Sequence, residues 1–418
     1  MHICRKWRHI VFASQQALCL RLFCTHGTPV AKNLDCWPAL PIVVEYGGSP
    51  ALYPPTLVDE DNILAALRQS DRVSSLHLTV TASLLEKLSP IEEPFSKIED
   101  LVLLYQYPMK LRPSRPFGWD PGLRSLHSTK VGFPGPLQQI SSMDLVDIQF
   151  HNIVKAAYLL PETLVITLSQ MSQLRSLSLH FLPTATLIGI SSPASEEPVI
   201  FPSLTRLNFR GMAEFLEGLV VSIYAPCLSH IEITFFDEVI FDVPQLSKFI
   251  DQIEMQNSHR QADILFSEDS ASIFLTQPTL TYLKLQLLCE SLSRQLFSVA
   301  QICNRLSTFM CFVEDLRIKG TRLLSRQDNV VREKWAKLTH SFSGAKSLHI
   351  AGSQPGPHHP PLREAVVSLM VSRRLSGGFI DVDYERLWID EPGGTGSTYA
   401  SWWGLILTCL EQDFFLSK

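Results

Sequence analysis

Ten times along the chain a six-residue pattern returns, apolar-x-x-apolar-x-apolar, and no other feature of the sequence restricts the fold as tightly. It begins at Val73, Ile98, Leu123, Leu145, Leu174, Leu204, Leu228, Leu280, Val313 and Ala345. Its middle apolar residue falls at Leu76, Leu101, Leu126, Ile148, Leu177, Leu207, Ile231, Leu283, Leu316 and Leu348, so successive steps are 25, 25, 22, 29, 30, 24, 52, 33 and 32 residues. Side chains of a strand alternate between its two faces. The last two apolar positions of each hexad therefore point into a core, and the residue between them points out. Those outward residues are His77, Val102, His127, Gln149, Ser178, Asn208, Glu232, Lys284, Arg317 and His349, all polar except Val102. At the third apolar position only Ser128 departs from the pattern. One such strand cannot shelter its apolar side alone, whereas stacked neighbours share a continuous core.

Leucine-rich repeats recur at steps of about 20–29 residues. The fold class expected is α/β, a leucine-rich-repeat-like solenoid with parallel strands on a concave face and helices or irregular returns on a convex one. The step of 52 has room for a masked strand, and residues 261–276, alternating through Ile264, Phe266, Ile273 and Leu275, fit that strand or a hairpin. The Asn that closes the turn of regular repeats is missing, so the turns must close by other means. Apolar stripes at helical spacing predict the returns: Ile63, Leu64 and Leu67 after Asp61-Asn62; Leu164, Val165, Leu168 and Met171 after Pro161; Leu246, Phe249, Ile250 and Ile253 after Pro244. Leu292, Leu296, Val299 and Ile302 form another, as do Trp335, Leu338 and Phe342. Proline suits a first helical turn because its missing N–H would be unpaired there anyway.

A chain of 418 residues exceeds the size at which single compact cores stop growing, about 250–300 residues, while stacked repeats have no such limit. No apolar run reaches the roughly 18 residues of a membrane span. Nine cysteines include no C-x-x-C pair and suggest neither a zinc site nor a disulfide framework, which makes the cytosol or nucleus the expected compartment. Residues 1–34 carry Arg5, Lys6, Arg8, Arg21 and Lys32 with no acid, a composition also found in mitochondrial transit peptides. The remainder holds 31 basic and 41 acidic side chains without a basic stripe, so neither nucleic acid nor membrane is expected as a partner.

The run Cys4-Arg-Lys-Trp7-Arg-His-Ile10-Val11, continuing to Leu20-Arg-Leu22, resembles the last third of an F-box. The following residues, through Cys24, Gly27, Pro29, Cys36-Trp37 and Leu40-Pro41, are similar to fungal F-box proteins with degenerate leucine-rich repeats. The resemblance covers residues 1 to about 350. It implies a substrate-recognition adaptor of a cullin-RING ubiquitin ligase, in which the F-box docks on a Skp-type subunit and the repeats select a target protein. An F-box opens with a Leu-Pro-x-Glu helix that lies ahead of the part matched here. Ile3, Cys4, Trp7, Ile10 and Val11 are accordingly expected to form a remnant helix packed on the first repeat, and a free-standing repeat scaffold without ligase docking is the alternative.

The organisation expected is an F-box-like helical remnant over 1–24, a connector and N-terminal cap over 25–72, repeats over 73–353, and a Pro/Gly-rich linker with a cap or tail over 354–418. Within that last part, Leu362, Val366, Leu369 and Met370 predict a helix and Phe379 to Tyr384 a strand. No G-x-x-x-x-G-K-[ST], H-E-x-x-H or G-x-S-x-G motif occurs, so no catalytic residue, metal or cofactor is predicted. The Gly393-Gly-Thr-Gly396 run and His358-His359 between prolines suit linkers. The candidate binding residues are the outward column: His77, Gln149, Ser178, Asn208, Glu232, Lys284, Arg317 and His349.

Overall fold

The computed structural model describes residues 10, 13, 18–37, 39–46, 56–88, 95–109, 122–131, 144–153, 160–183, 198–236, 244–252, 261–276, 282–320, 329–352 and 381–385. Ile3, Cys4, Trp7 and Val11, the helix expected from Leu362, both linker motifs and the C-terminal segment lie outside them. The chain is mixed α/β and divides into two compact units, Met1–Leu228 and Ser229–Lys418, so the division falls within the run of hexads.

In the first unit eight strands form one parallel sheet: β1 (Leu20–Phe23), β2 (Ile42–Tyr46), β3 (Val73–Val80), β4 (Asp100–Met109), β5 (Ser125–Val131), β6 (Asp147–Ile153), β7 (Ser176–Phe181) and β9 (Arg206–Gly211), in that order. A separate short parallel pair joins β8 (Val199–Ile200) to β10 (Ile223–Tyr224). Helices occupy the returns: α1 (Val30–Cys36), α2 (Leu57–Leu67), α3 (Ala82–Leu88), α4 (Pro161–Leu168) and α5 (Ala213–Val221).

In the second unit the sheet order is β11 (His230–Phe236), β14 (Tyr282–Leu288), β13 (Ser270–Thr276), β12 (Gln261–Phe266), β15 (Asp315–Gly320), β16 (Ser347–Gly352) and β17 (Asp381–Glu385). Its helices are α6 (Pro244–Gln252), α7 (Leu292–Arg305), α8 (Ser307–Met310) and α9 (Asn329–Ser341). The long step of 52 residues contains a hairpin whose two strands both enter the sheet. β13 runs antiparallel to β12 and to β14, while β12 is parallel to β15.

The hexads fold as their alternation requires. Among the residues whose burial is described, all three apolar positions of every hexad are buried, and Ser128 is covered at 5% exposure. The missing turn asparagine is replaced by backbone closure. The N–H at the first apolar position donates to a carbonyl three residues back in Ile98 to Phe95, Leu174 to Met171, Leu204 to Phe201, Leu228 to Ala225, Val313 to Met310 and Ala345 to Phe342. Each of those acceptor residues is itself buried, which lengthens the apolar signature by one position toward the N-terminus. Turn then locks to turn through single carbonyls that each accept two N–H groups. Glu99 O takes those of Arg124 and Ser125, Arg124 O those of Val146 and Asp147, Val146 O those of Arg175 and Ser176, and Arg175 O those of Thr205 and Arg206.

Three expectations change. Leu20–Phe23, placed in a helical F-box remnant, is the first strand of the sheet and pairs with β2, because Leu22 and Cys24 alternate inward. Residue Ile10, the one described member of the expected remnant, is helical but 46% exposed rather than packed. The helix anticipated after Asp61-Asn62 starts earlier, at Leu57. Thr56 caps it: Thr56 Oγ1 accepts from the Asp59 N–H, and Asp59 Oδ2 accepts from the Thr56 N–H at 2.8 Å. This capping box satisfies two donors that a bare helix end leaves open. Thr56→Ala is expected to cost about 1 kcal/mol, read as a lower urea midpoint with an unchanged slope.

Candidate functional site

Register places the outward residues in a continuous row across each sheet. In the first unit the row runs Glu45, His77, Val102, His127, Gln149, Ser178, Asn208, each paired with the next. In the second it runs Glu232, Lys284, Phe274, Asp263, Arg317, His349, Asp383. The eight predicted residues thus fall four in each unit. Between Lys284 and Arg317 the hairpin inserts Phe274 and Asp263, which the sequence pattern missed because β13 reads backwards against a one-way template and β12 has Ala262 in place of the middle leucine. The inserted ring lies under the Lys284 ammonium, 5.8 Å from Nζ to its centroid, and the same ammonium is paired with Glu232. Two residues N-terminal to that pair, His230 and Tyr282 stack with centroids 4.5 Å apart.

Polar neighbours on the adjacent outward positions tie several of these side chains down. Gln149 Nε2 donates to Asp147 Oδ2 at 2.7 Å, and Gln261 Nε2 donates to Asp263 Oδ2 at 2.7 Å. Ser347 Oγ donates to Asp315 Oδ1. Ser178 is only 6% exposed and lies 3.3 Å from His180 Nε2, so it offers little surface. Asn208 and Arg317 are half-buried, and neither makes a side-chain hydrogen bond or ion pair among the described residues.

Ser75, His77 and Asp100 meet on the first sheet. Ser75 Oγ lies 3.2 Å from His77 Nε2 and donates to Asp100 Oδ2 at 3.2 Å, while His77 Nε2 is 2.7 Å from that same carboxylate oxygen. A nucleophilic serine requires its hydroxyl on one ring nitrogen and the orienting carboxylate on the other. Here a single nitrogen serves both, so the three residues close a hydrogen-bonded knot that cannot relay a proton from serine toward aspartate.

Beside the knot lies a row of three imidazoles, of which the hexad pattern points to His127 alone. His127 on β5 stands 4.9 Å from His151 on β6, which stands 4.1 Å from His180 on β7, ring centroid to centroid. Burial lowers the His127 pKa, partly opposed by Asp147 and Asp100. Burial also lowers that of His151, with His180 and His127 adding to the effect, to about 4. The signal that could have found His151 and His180 is simple: each sits two residues beyond an outward hexad position, on the same face.

Among the described residues no group of three or more His, Cys, Asp or Glu is arranged to hold a metal ion, and no helix is long and apolar enough to cross a membrane. No family model and no curated protein matches the chain.

Proposed function

We propose that the chain is a non-enzymatic protein-interaction module, a leucine-rich-repeat-like solenoid that serves as the substrate-recognition adaptor of a cullin-RING ubiquitin ligase in the cytosol or nucleus. The observation that carries the interaction reading is the outward row, in which polar side chains stand on neighbouring strands about 4.8 Å apart above a buried apolar face. Repeat proteins bind partners along such surfaces. The ligase reading rests on the resemblance of the N-terminal run from Cys4 to Pro41 to F-box proteins.

Two measurements test the two parts separately. Co-expression of the full-length product with a Skp-type subunit is expected to yield a complex on gel filtration, and elution as separate species removes the ligase half. For the surface, Asn208→Arg and Arg317→Glu alter outward residues that hold no other side chain in place. Each is expected to weaken capture of the wild-type partner at least tenfold with the melting temperature unchanged. Unaltered capture by both variants removes the row as the binding surface. Capture that depends on the row, without any Skp-type binding, identifies the free-standing scaffold instead.

A further inference from the structure

We propose that the stack of His127, His151 and His180 is an acid-operated latch on the outward face of the first unit: neutral imidazoles hold strands β5, β6 and β7 packed at this point, and their protonation releases it. The latch depends on the geometry alone and not on the identity of any partner. On three consecutive strands the His151 ring lies 4.9 Å from that of His127 and 4.1 Å from that of His180, close enough that two charged rings in contact would repel strongly. The Nε2 atoms of His127 and His151 are buried and have no hydrogen-bond partner, so a proton added to either has no acceptor waiting in the packed arrangement.

The backbone is irregular at the same place. Asn152, directly after His151, and Lys130, three residues after His127, have φ of 55° and 56°, a left-handed conformation that asparagine tolerates and that lysine adopts only at a cost. Strand pairing between β6 and β7 passes from Phe150–Leu179 to Ile153–Phe181 and skips the two residues between, and pairing of β5 with β6 ends at Thr129–His151. The ladder is therefore interrupted beside His151 itself.

The charged and titratable groups around the stack set its direction. On β4 and β6, Asp100 and Asp147 act on His127 and favour its protonation, while His77 on β3 opposes it. On His151 only His127 and His180 act, both against protonation. From β9, Arg210 is the register partner of His180 and adds a further cation, and Lys130 is the next-to-last residue of β5. Among the described residues no carboxylate thus offsets charge at the middle of the stack. A histidine whose folded pKa lies below its unfolded value, about 6.5, leaves stability intact above that value. Stability then falls as the pH drops from about 6.5 toward about 4, because the opened strands take up protons that the packed stack refuses.

Hydrogen exchange on the full chain tests this, comparing pH 7.5 with pH 5.0 after correction for intrinsic exchange. Peptides of β5–β7 are expected to lose protection about tenfold more than those of β2–β3, and His151→Phe, which keeps a ring between its neighbours without a titrating nitrogen, is expected to abolish the difference. Should His151→Phe fail to fold, His151→Gln is read in the same way. Equal loss in β2–β3 and β5–β7, or an undiminished difference in the folded variant, overturns the latch.

Discussion

Replacing Trp335 with alanine is expected to destabilise the second unit by about 3–5 kcal/mol, the range for removing a large buried aromatic side chain. Trp335 lies on α9 at 1% exposure and meets Phe266 of β12 edge-on, with ring centroids 5.7 Å apart and planes at 66°. It joins a return helix to the strand that the long 52-residue step conceals, so its loss empties the joint between helix and sheet. Leu338 and Phe342, both fully buried, follow it at helical spacing and cannot refill that volume. Urea titration read by hydrogen exchange in peptides of the second unit measures the change. Trp335→Phe, which retains an edge contact, is expected to lose less than half as much. A cost below 1 kcal/mol for the alanine variant would mean that α9 does not pack on β12.

Gly344→Ala is the second large effect. The added Cβ would stand 1.7 Å from the carbonyl oxygen of Cys311 and 2.7 Å from its carbonyl carbon. Both are backbone atoms, so no rotamer change relieves the overlap. The surrounding segments are also pinned: the Val313 N–H donates to Met310 O, the Ala345 N–H to Phe342 O, and the N–H groups of Lys346 and Ser347 share Glu314 O. Overpacking a core costs about 1–3 kcal/mol, and an overlap with fixed backbone belongs at or above the top of that range. Gly27, with nothing within 4 Å of the corresponding position, provides the control, and Gly27→Ala is expected to stay within about 0.5 kcal/mol of wild type. Equal melting temperatures for the two variants would contradict the close approach at Gly344.

The parallel sheets were legible because their cause is local: two inward apolar side chains, spaced two apart, with a third apolar anchor at the turn. Where that local sign is faint, reading failed. β1 would show as Cys19-x-x-Leu22-x-Cys24 and β2 as Pro41-x-x-Val44-x-Tyr46, and neither looks like a leucine motif although Leu22, Cys24, Val44 and Tyr46 are all buried. β12 carries Ala262 at the middle position, opposite Leu316, and so escaped the hexad template, although the alternation of Ile264 and Phe266 marked it as a strand or half of a hairpin. β17, with Phe379-x-x-Val382-x-Tyr384, does obey the pattern, and Val382 pairs with Leu348. It was expected as a strand and follows the same spacing beyond the ten hexads that run from Val73 to Ile350.

Of the candidate surface, the membership of individual outward residues could be read, whereas adjacency could not. Which side chains touch depends on register and on where the hairpin enters, and both are set by pairing between segments far apart in sequence. The imidazole stack shows the difference plainly. His127, His151 and His180 are separated by 24 and 29 residues; His151 and His180 hold equivalent outward positions on β6 and β7, while His127 on β5 is offset from them by one outward position.

The shared carbonyls of Glu99, Arg124, Val146 and Arg175 carry a consequence for how such a chain can diversify. Alignment of one strand with the next is transmitted through main-chain atoms that every amino acid possesses, at the point where each strand begins. Spacers of unequal length between those points leave the alignment undisturbed, and side chains on the outer surface can be exchanged without rewriting the instructions that assemble it. Scaffold and surface are in this sense separately heritable.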